Sequence, residues 1–154
     1  RKGHFEGVLD VMNKLTKIIN PQKIFMGEKD FQQLYLVKKQ LERTYKTKVI
    51  PCKTIRDRNN VALSSRNLLL NKSSLVIAAK IYKKLVSIKK NIKKKKKIWS
   101  FLNLQKKELK NNYKIKIDYL ELRNINNLKI SNSKKNSRLF IAYYLNNVRL
   151  IDNL

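Results

Sequence analysis

Apolar residues recur at helical spacing from residue 7 to 19. Val8, Val11, Met12, Leu15, Ile18 and Ile19 fall on one face, and Asn20-Pro21 ends the run. Lys23 to Met26 then reads as a short buried strand closing on Gly27. A second helix is predicted from Asp30 to about Tyr45, striped by Leu34, Leu36, Val37 and Leu41, and Lys48 to Cys52 reads as a second strand. Helix–strand–helix–strand order is the signature of a parallel sheet with crossover helices, whose ligands bind beyond the carboxyl ends of strands, where Gly27 to Asp30 falls.

Beyond Asn67 the pattern changes. Ser73 is placed to cap a helix carrying Leu75, Val76, Ala79, Ile81, Tyr82 and Leu85. The lysine run 93–97 predicts a solvated helix end or loop, because like charges packed that densely repel. A further helix is expected over Ile98 to Lys110. Strand alternation follows at Ile115, Ile117, Tyr119 and Leu122, then in Leu139 to Leu145 and Val148 to Ile151, with the polar segment 124–138 as a connection. Asn146-Asn147 is suited to a two-residue hairpin turn. The expected architecture is α/β: a parallel-sheet part followed by a smaller α+β part with antiparallel strands, the boundary falling in 53–67.

The charge balance is extreme, with 37 Lys+Arg against 10 Asp+Glu among 154 residues, a formal +27. Such a field attracts polyanions, so a basic nucleic-acid-binding module is the alternative reading. The lysines are scattered over every segment of an Asn- and Ile-rich chain, which fits compositional drift better than a built groove. No aromatic-and-glycine strand motif or DNA-binding helix pair appears. The 42% apolar content supports a core. Cys52, the single cysteine, allows no internal disulfide and reads as a buried structural thiol. The longest apolar run is far below the roughly 18 residues of a membrane span, and no secretory signal opens the chain, so a cytoplasmic location is expected. The start at Arg1, without methionine, suggests a fragment.

Two polar clusters carry the candidate chemistry. In Gly27-Glu28-Lys29-Asp30-Phe31-Gln32-Gln33, Lys29 stands where a strand meets a helix, and backbone N–H groups and the helix dipole there favour an anion. Gly27 removes a side chain that would hold a ligand off the backbone. Asp30 can accept from ribose hydroxyls or cap the helix, and for Asp30 taken alone capping is the favoured reading. Gln33 lies one turn on and can face the same side. In Leu63-Ser64-Ser65-Arg66-Asn67, two hydroxyls and a guanidinium fork form an anion cradle, or else a serine-rich helix entry with a surface arginine. Arg56 and Arg58 are read as solvated, and His4 as structural. No metal-ligand cluster or nucleophilic triad is evident.

Taken together, His4-Phe5 with Gly7-Val8, the heptapeptide 27–33, Ala62 to Asn67 and the closing Arg149-Leu150-Ile151-Asp152-Asn153 closely resemble the pantothenate synthetase (pantoate–β-alanine ligase) family. The likeness spans the whole chain in order and corresponds to the later part of the family's length. It implies a partial Rossmann-like nucleotidyl-transferase domain over residues 1–55 and a C-terminal lid over 56–154. It further implies an ATP- and Mg2+-dependent ligase that activates pantoate as an acyl adenylate for attack by β-alanine, in a homodimer.

Carried over residue by residue, the resemblance gives ATP binding to Gly27, Glu28, Lys29 and Asp30, with Lys29 on the phosphates and Asp30 near the ribose. Gln33 would hydrogen-bond pantoate, Ile55 would line the adenine pocket, and Leu63, Ser64, Ser65 and Arg66 would close over the nucleotide. Lys29 and Arg66 are the expected catalytic cations, acting on one triphosphate. The family's upstream His-x-Gly-His-type motif has no counterpart here, and His4 matches a different position. Half an active site, inactive alone, is the resulting expectation.

Overall fold

The computed structural model describes residues 3–92 and 95–154, which divide into two compact units, one reaching to Thr54 and one running from Ile55 to Leu154.

The first unit is α1 (His4–Ile19), β1 (Lys23–Gly27), a 3₁₀ turn over Glu28–Asp30, α2 (Phe31–Thr44) and β2 (Lys48–Cys52). β1 and β2 pair in parallel, with Ile24 opposite Val49 and Gly27 opposite Cys52, so α2 is the crossover the sequence predicts. Its core joins Leu34, Val37 and Leu41 of α2 to Val49, with Val8, Leu9, Met12, Ile24 and Met26 packed around them. The loop back into β2 is fixed where the Thr47 hydroxyl donates to the Pro21 carbonyl at 2.6 Å, and the Val49 N–H donates to the Glu42 carboxylate at 2.9 Å.

Two expectations fail in this unit. The predicted apolar stripe of α1 is only partly buried: Val8 and Met12 pack, but Val11, Leu15, Ile18 and Ile19 are exposed. Thr16 and Leu9, one flank round the helix, take their place against the core. Cys52 is exposed rather than buried. Strand parity explains this, because Cys52 shares a sheet face with Ile50 and with the exposed Phe25, while Val49 faces α2.

The second unit holds a 3₁₀ turn at Ser65–Leu69, α3 (Lys72–Ile92), α4 (Ile98–Tyr113) and an antiparallel sheet in the order β3 (Lys116–Asn124), β4 (Ser137–Leu145), β5 (Val148–Asn153). α3 buries Ala78, Ile81, Leu85, Ile88 and Ile92, and α4 buries Ile98, Leu102 and Leu109, against Leu120, Leu122, Leu139, Ile141 and Leu150 of the sheet. α3 is capped by Asn71, not Ser73: the Asn71 side-chain oxygen accepts from the Ser74 N–H at 2.9 Å and from the Ser73 hydroxyl at 2.8 Å. A bulge between Ile117 and Tyr119 shifts the parity of β3, so Leu120 rather than Tyr119 turns to the core. Asn146 and Asn147 both take positive φ, 46° and 64°, as a two-residue hairpin turn requires. Of the lysine run, Lys93 and Lys94 lie outside the described residues, and Lys95 to Lys97 are exposed. Among the described residues no helix is long and apolar enough to cross a membrane.

Candidate functional site

In the first unit the chain leaves β1 at Gly27, makes the 3₁₀ turn Glu28–Asp30 and enters α2 at Phe31. The turn thus lies at the carboxyl end of a parallel strand and before the positive end of a helix whose first turn contains no acidic residue. Gly27 has an ordinary extended backbone, φ −67° and ψ 133°. A Cβ built there would meet no atom within 4 Å beyond its chain neighbours. Neither conformation nor packing inside the fold therefore requires glycine at this position, and its missing side chain leaves room on the outer side of the turn.

Lys29 is largely covered, its side chain only 20% exposed, with Nζ 3.8 Å from a carboxylate oxygen of Asp30. Asp30 occupies the cap position of α2, yet its side chain makes no capping hydrogen bond. That removes the helix-capping explanation of Asp30 and leaves a half-exposed acceptor beside the turn. Gln33 is half-buried in the first turn of α2.

In the second unit Ile55 opens a narrow antiparallel pairing. Arg56 bridges Ala62, the Leu63 N–H donates to the Ile55 carbonyl at 3.0 Å, and the Asp57 carboxylate accepts from the N–H groups of Asn59 and Val61, each at 2.8 Å. Alternation sends Arg56 and Ala62 inward and leaves Ile55 and Leu63 side by side, 71% and 52% exposed. Ser64 extends to cap the next turn, its Oγ accepting from the Arg66 N–H at 3.3 Å, and Ser65 is exposed at the start of that turn. The Arg66 guanidinium donates to the Arg149 carbonyl of β5 at 3.0 Å, and the Asn67 amide donates to the Ala62 carbonyl at 3.0 Å.

Arg56 is not solvated. It grips Asp152 of β5 with two hydrogen bonds of 2.7 and 2.8 Å, donates to the Asn60 carbonyl at 3.1 Å, and lies over the Tyr82 ring at 4.1 Å. Burial works against its charge, but the hydrogen bonds to Asp152 and that carboxylate's field outweigh burial and raise its pKa. Arg149 is held similarly: burial opposes its charge, and the Asp118 carboxylate, 2.8 Å away, together with Tyr119 more than compensates. Burial, helped by Asp152, pushes the Tyr143 hydroxyl well above the ordinary tyrosine range. No local signal could have flagged Arg56, whose partner lies 96 residues away.

The structure thus gathers Gly27, Glu28, Lys29 and Asp30 on one turn, with Gln33 just beyond. Within the other unit it gathers Ile55, Leu63, Ser64, Ser65 and Arg66 on one loop. Two recesses in the second unit, along α4 and β3, contain none of these residues.

The family model for pantoate-beta-alanine ligase matches residues 1–154. The chain belongs to the pantoate-beta-alanine ligase family. It is 37% identical over 160 residues to a pantothenate synthetase of Flavobacterium psychrophilum, covering all of this chain and 56% of that protein. It is 38% identical over 159 residues to one of Cytophaga hutchinsonii, with the same coverage. The crystal structure of pantothenate synthetase from Thermus thermophilus superposes with a TM-score of 0.89 at 29% identity, over the whole chain and 56% of that structure. That of the Francisella tularensis pantoate-beta-alanine ligase, complexed with beta-gamma ATP and beta-alanine, gives 0.73 at 34% identity, over the whole chain and 51% of that structure. The parallel pair and the three-stranded antiparallel sheet match this family's α/β fold. The chain spans about half the length of the curated relatives it matches.

Proposed function

We propose that the protein joins pantoate to β-alanine at the expense of ATP, and that this chain supplies nucleotide- and pantoate-binding residues for the reaction. A pantoate carboxylate oxygen attacks the α-phosphorus and pyrophosphate departs. The amine of β-alanine then attacks the acyl carbon, an amide bond forms, and AMP leaves with the carboxylate oxygen. The turn 27–30 receives the triphosphate: the α2 N–H groups and Lys29 offset charge that grows on the departing pyrophosphate, and Asp30 accepts from the ribose. Gln33 hydrogen-bonds pantoate. Ile55 and Leu63 lie against the adenine, while Ser64, Ser65 and Arg66 close over the nucleotide.

The observation that carries this reading is the turn itself: a glycine the fold does not need, beside a covered lysine at a strand-to-helix junction. The family membership and the ATP-bound Francisella tularensis relative support it. Magnesium enters with ATP. Among the described residues no three His, Cys, Asp or Glu side chains gather to hold an ion, and the triphosphate oxygens would be among its ligands. The homodimer and the division into a residue 1–55 nucleotide domain and a residue 56–154 lid belong to the same proposal. This chain, holding half of the proposed site, is expected to be inactive alone, so the test supplies the complementing half of the ligase together with ATP, magnesium, β-alanine and pantoate labelled with heavy oxygen in its carboxylate. Label appearing in AMP, one AMP per pantothenate, is expected; ADP as product would contradict the adenylate route.

A further inference from the structure

Arg56 and Asp152 form a nearly covered ion pair, with side chains 15% and 9% exposed, joining the loop after residue 54 to the last strand. A bidentate guanidinium–carboxylate pair fixes the arginine in plane and along the strand, which a single contact cannot do. Tyr82 of α3 lies against one face of the guanidinium, 4.1 Å from ring centroid to Cζ. The Arg56 backbone is in turn bridged to Ala62, so the side-chain grip fixes the pairing that sets Ile55 beside Leu63. Those two are apolar, adjacent and exposed, and together offer a small apolar surface of the kind a flat aromatic ring can cover.

We infer that the Arg56–Asp152 clamp is the positioning device for an aromatic-base platform made by Ile55 and Leu63. Arg56 touches no substrate; it acts through the loop it holds. This rests on the nucleotide reading proposed above and adds to it what holds the two base-facing residues in place. The Arg66 tether to the Arg149 carbonyl is a separate hydrogen bond, so loosening the clamp leaves the phosphate-facing end of the loop attached to β5.

The consequence is a split in ligand dependence. In the full chain, Asp152→Asn keeps the size of the side chain and removes the charge, and Arg56→Lys keeps the charge and removes the fork. Each variant is expected to weaken ATP about tenfold, the scale of a lost charge-assisted hydrogen bond, with inorganic tripolyphosphate affinity unchanged. Amide exchange at Leu63 should accelerate while the amides of Leu85 and Ile88 in α3 keep their protection. Equal losses for ATP and tripolyphosphate, or accelerated exchange throughout α3, would make the pair merely structural and overturn the inference. Unchanged ATP affinity in both variants would overturn it too. Should the unsubstituted chain bind neither ligand, the nucleotide reading fails by itself. Exchange at Leu63 then still decides the clamp, and no acceleration in either variant refutes it.

Discussion

Replacing Gly27 by alanine separates what the fold needs from what a ligand needs. At φ −67° and ψ 133° alanine is at ease, and its Cβ would meet nothing within 4 Å. The change narrows the unfolded ensemble at no cost in the folded state, so the first unit should gain about 0.4–1 kcal/mol. Amide exchange in the β1–β2 pair reads this locally and does not depend on the second unit unfolding in the same step. If phosphates approach the turn at the bare Cα, the same methyl intrudes on them. Overpacking by one methyl costs about 1–3 kcal/mol, which predicts ATP binding weaker by roughly fivefold to 150-fold. Calorimetric titration of Gly27→Ala with ATP measures it. A variant that is more stable and binds ATP as before would show that the open space at Gly27 serves no phosphate. A destabilised variant would show that the local geometry is misread.

Other outcomes follow from the second unit. Ile88 is fully buried in α3, so Ile88→Ala should cost about 2–5 kcal/mol in urea unfolding followed by circular dichroism. Asn71→Ala removes the α3 cap and should cost about 1 kcal/mol, while Ser73→Ala should cost much less. Burial holds the Tyr143 hydroxyl protonated in the folded state beyond the unfolded value of about 10. Its contribution is therefore complete below that pH and is lost as pH rises through the folded value, with a slope approaching about 1.4 kcal/mol per pH unit. Tyr143→Phe should flatten the alkaline limb of stability against pH. Tyr119, also raised by burial, keeps its own share in that variant.

Local chemistry was legible where one short segment decides the outcome. The βαβ order at 23–52 follows from period and length, and the Asn146-Asn147 turn follows from two residues that tolerate positive φ. Features set by distant partners were not. Arg56 sits in a loop-like polar stretch and is claimed by a carboxylate near the other end of the chain. The bulge in β3 has no sequence mark, so alternation through Tyr119 pointed to the wrong face. On α1, helical spacing identified an apolar side without showing how much of it the unit covers, and Val11, Leu15 and Ile18 stay outside. Asn71 and Ser73 are both good caps two residues apart, and backbone geometry chose the earlier one. At the site, the sequence placed Lys29 before a helix. Only the structure showed that Asp30 does not cap that helix and that Gly27 has no conformational reason to be glycine.

In the proposed reading the turn at residues 27–30 receives phosphates through the Lys29 ammonium. Titration of the unsubstituted chain and of Lys29→Ala with ATP, inorganic tripolyphosphate and adenosine tests it most directly. The substitution is expected to weaken ATP and tripolyphosphate alike, by about tenfold or more, and to leave adenosine unchanged. Equal ATP affinity in the two proteins would contradict it.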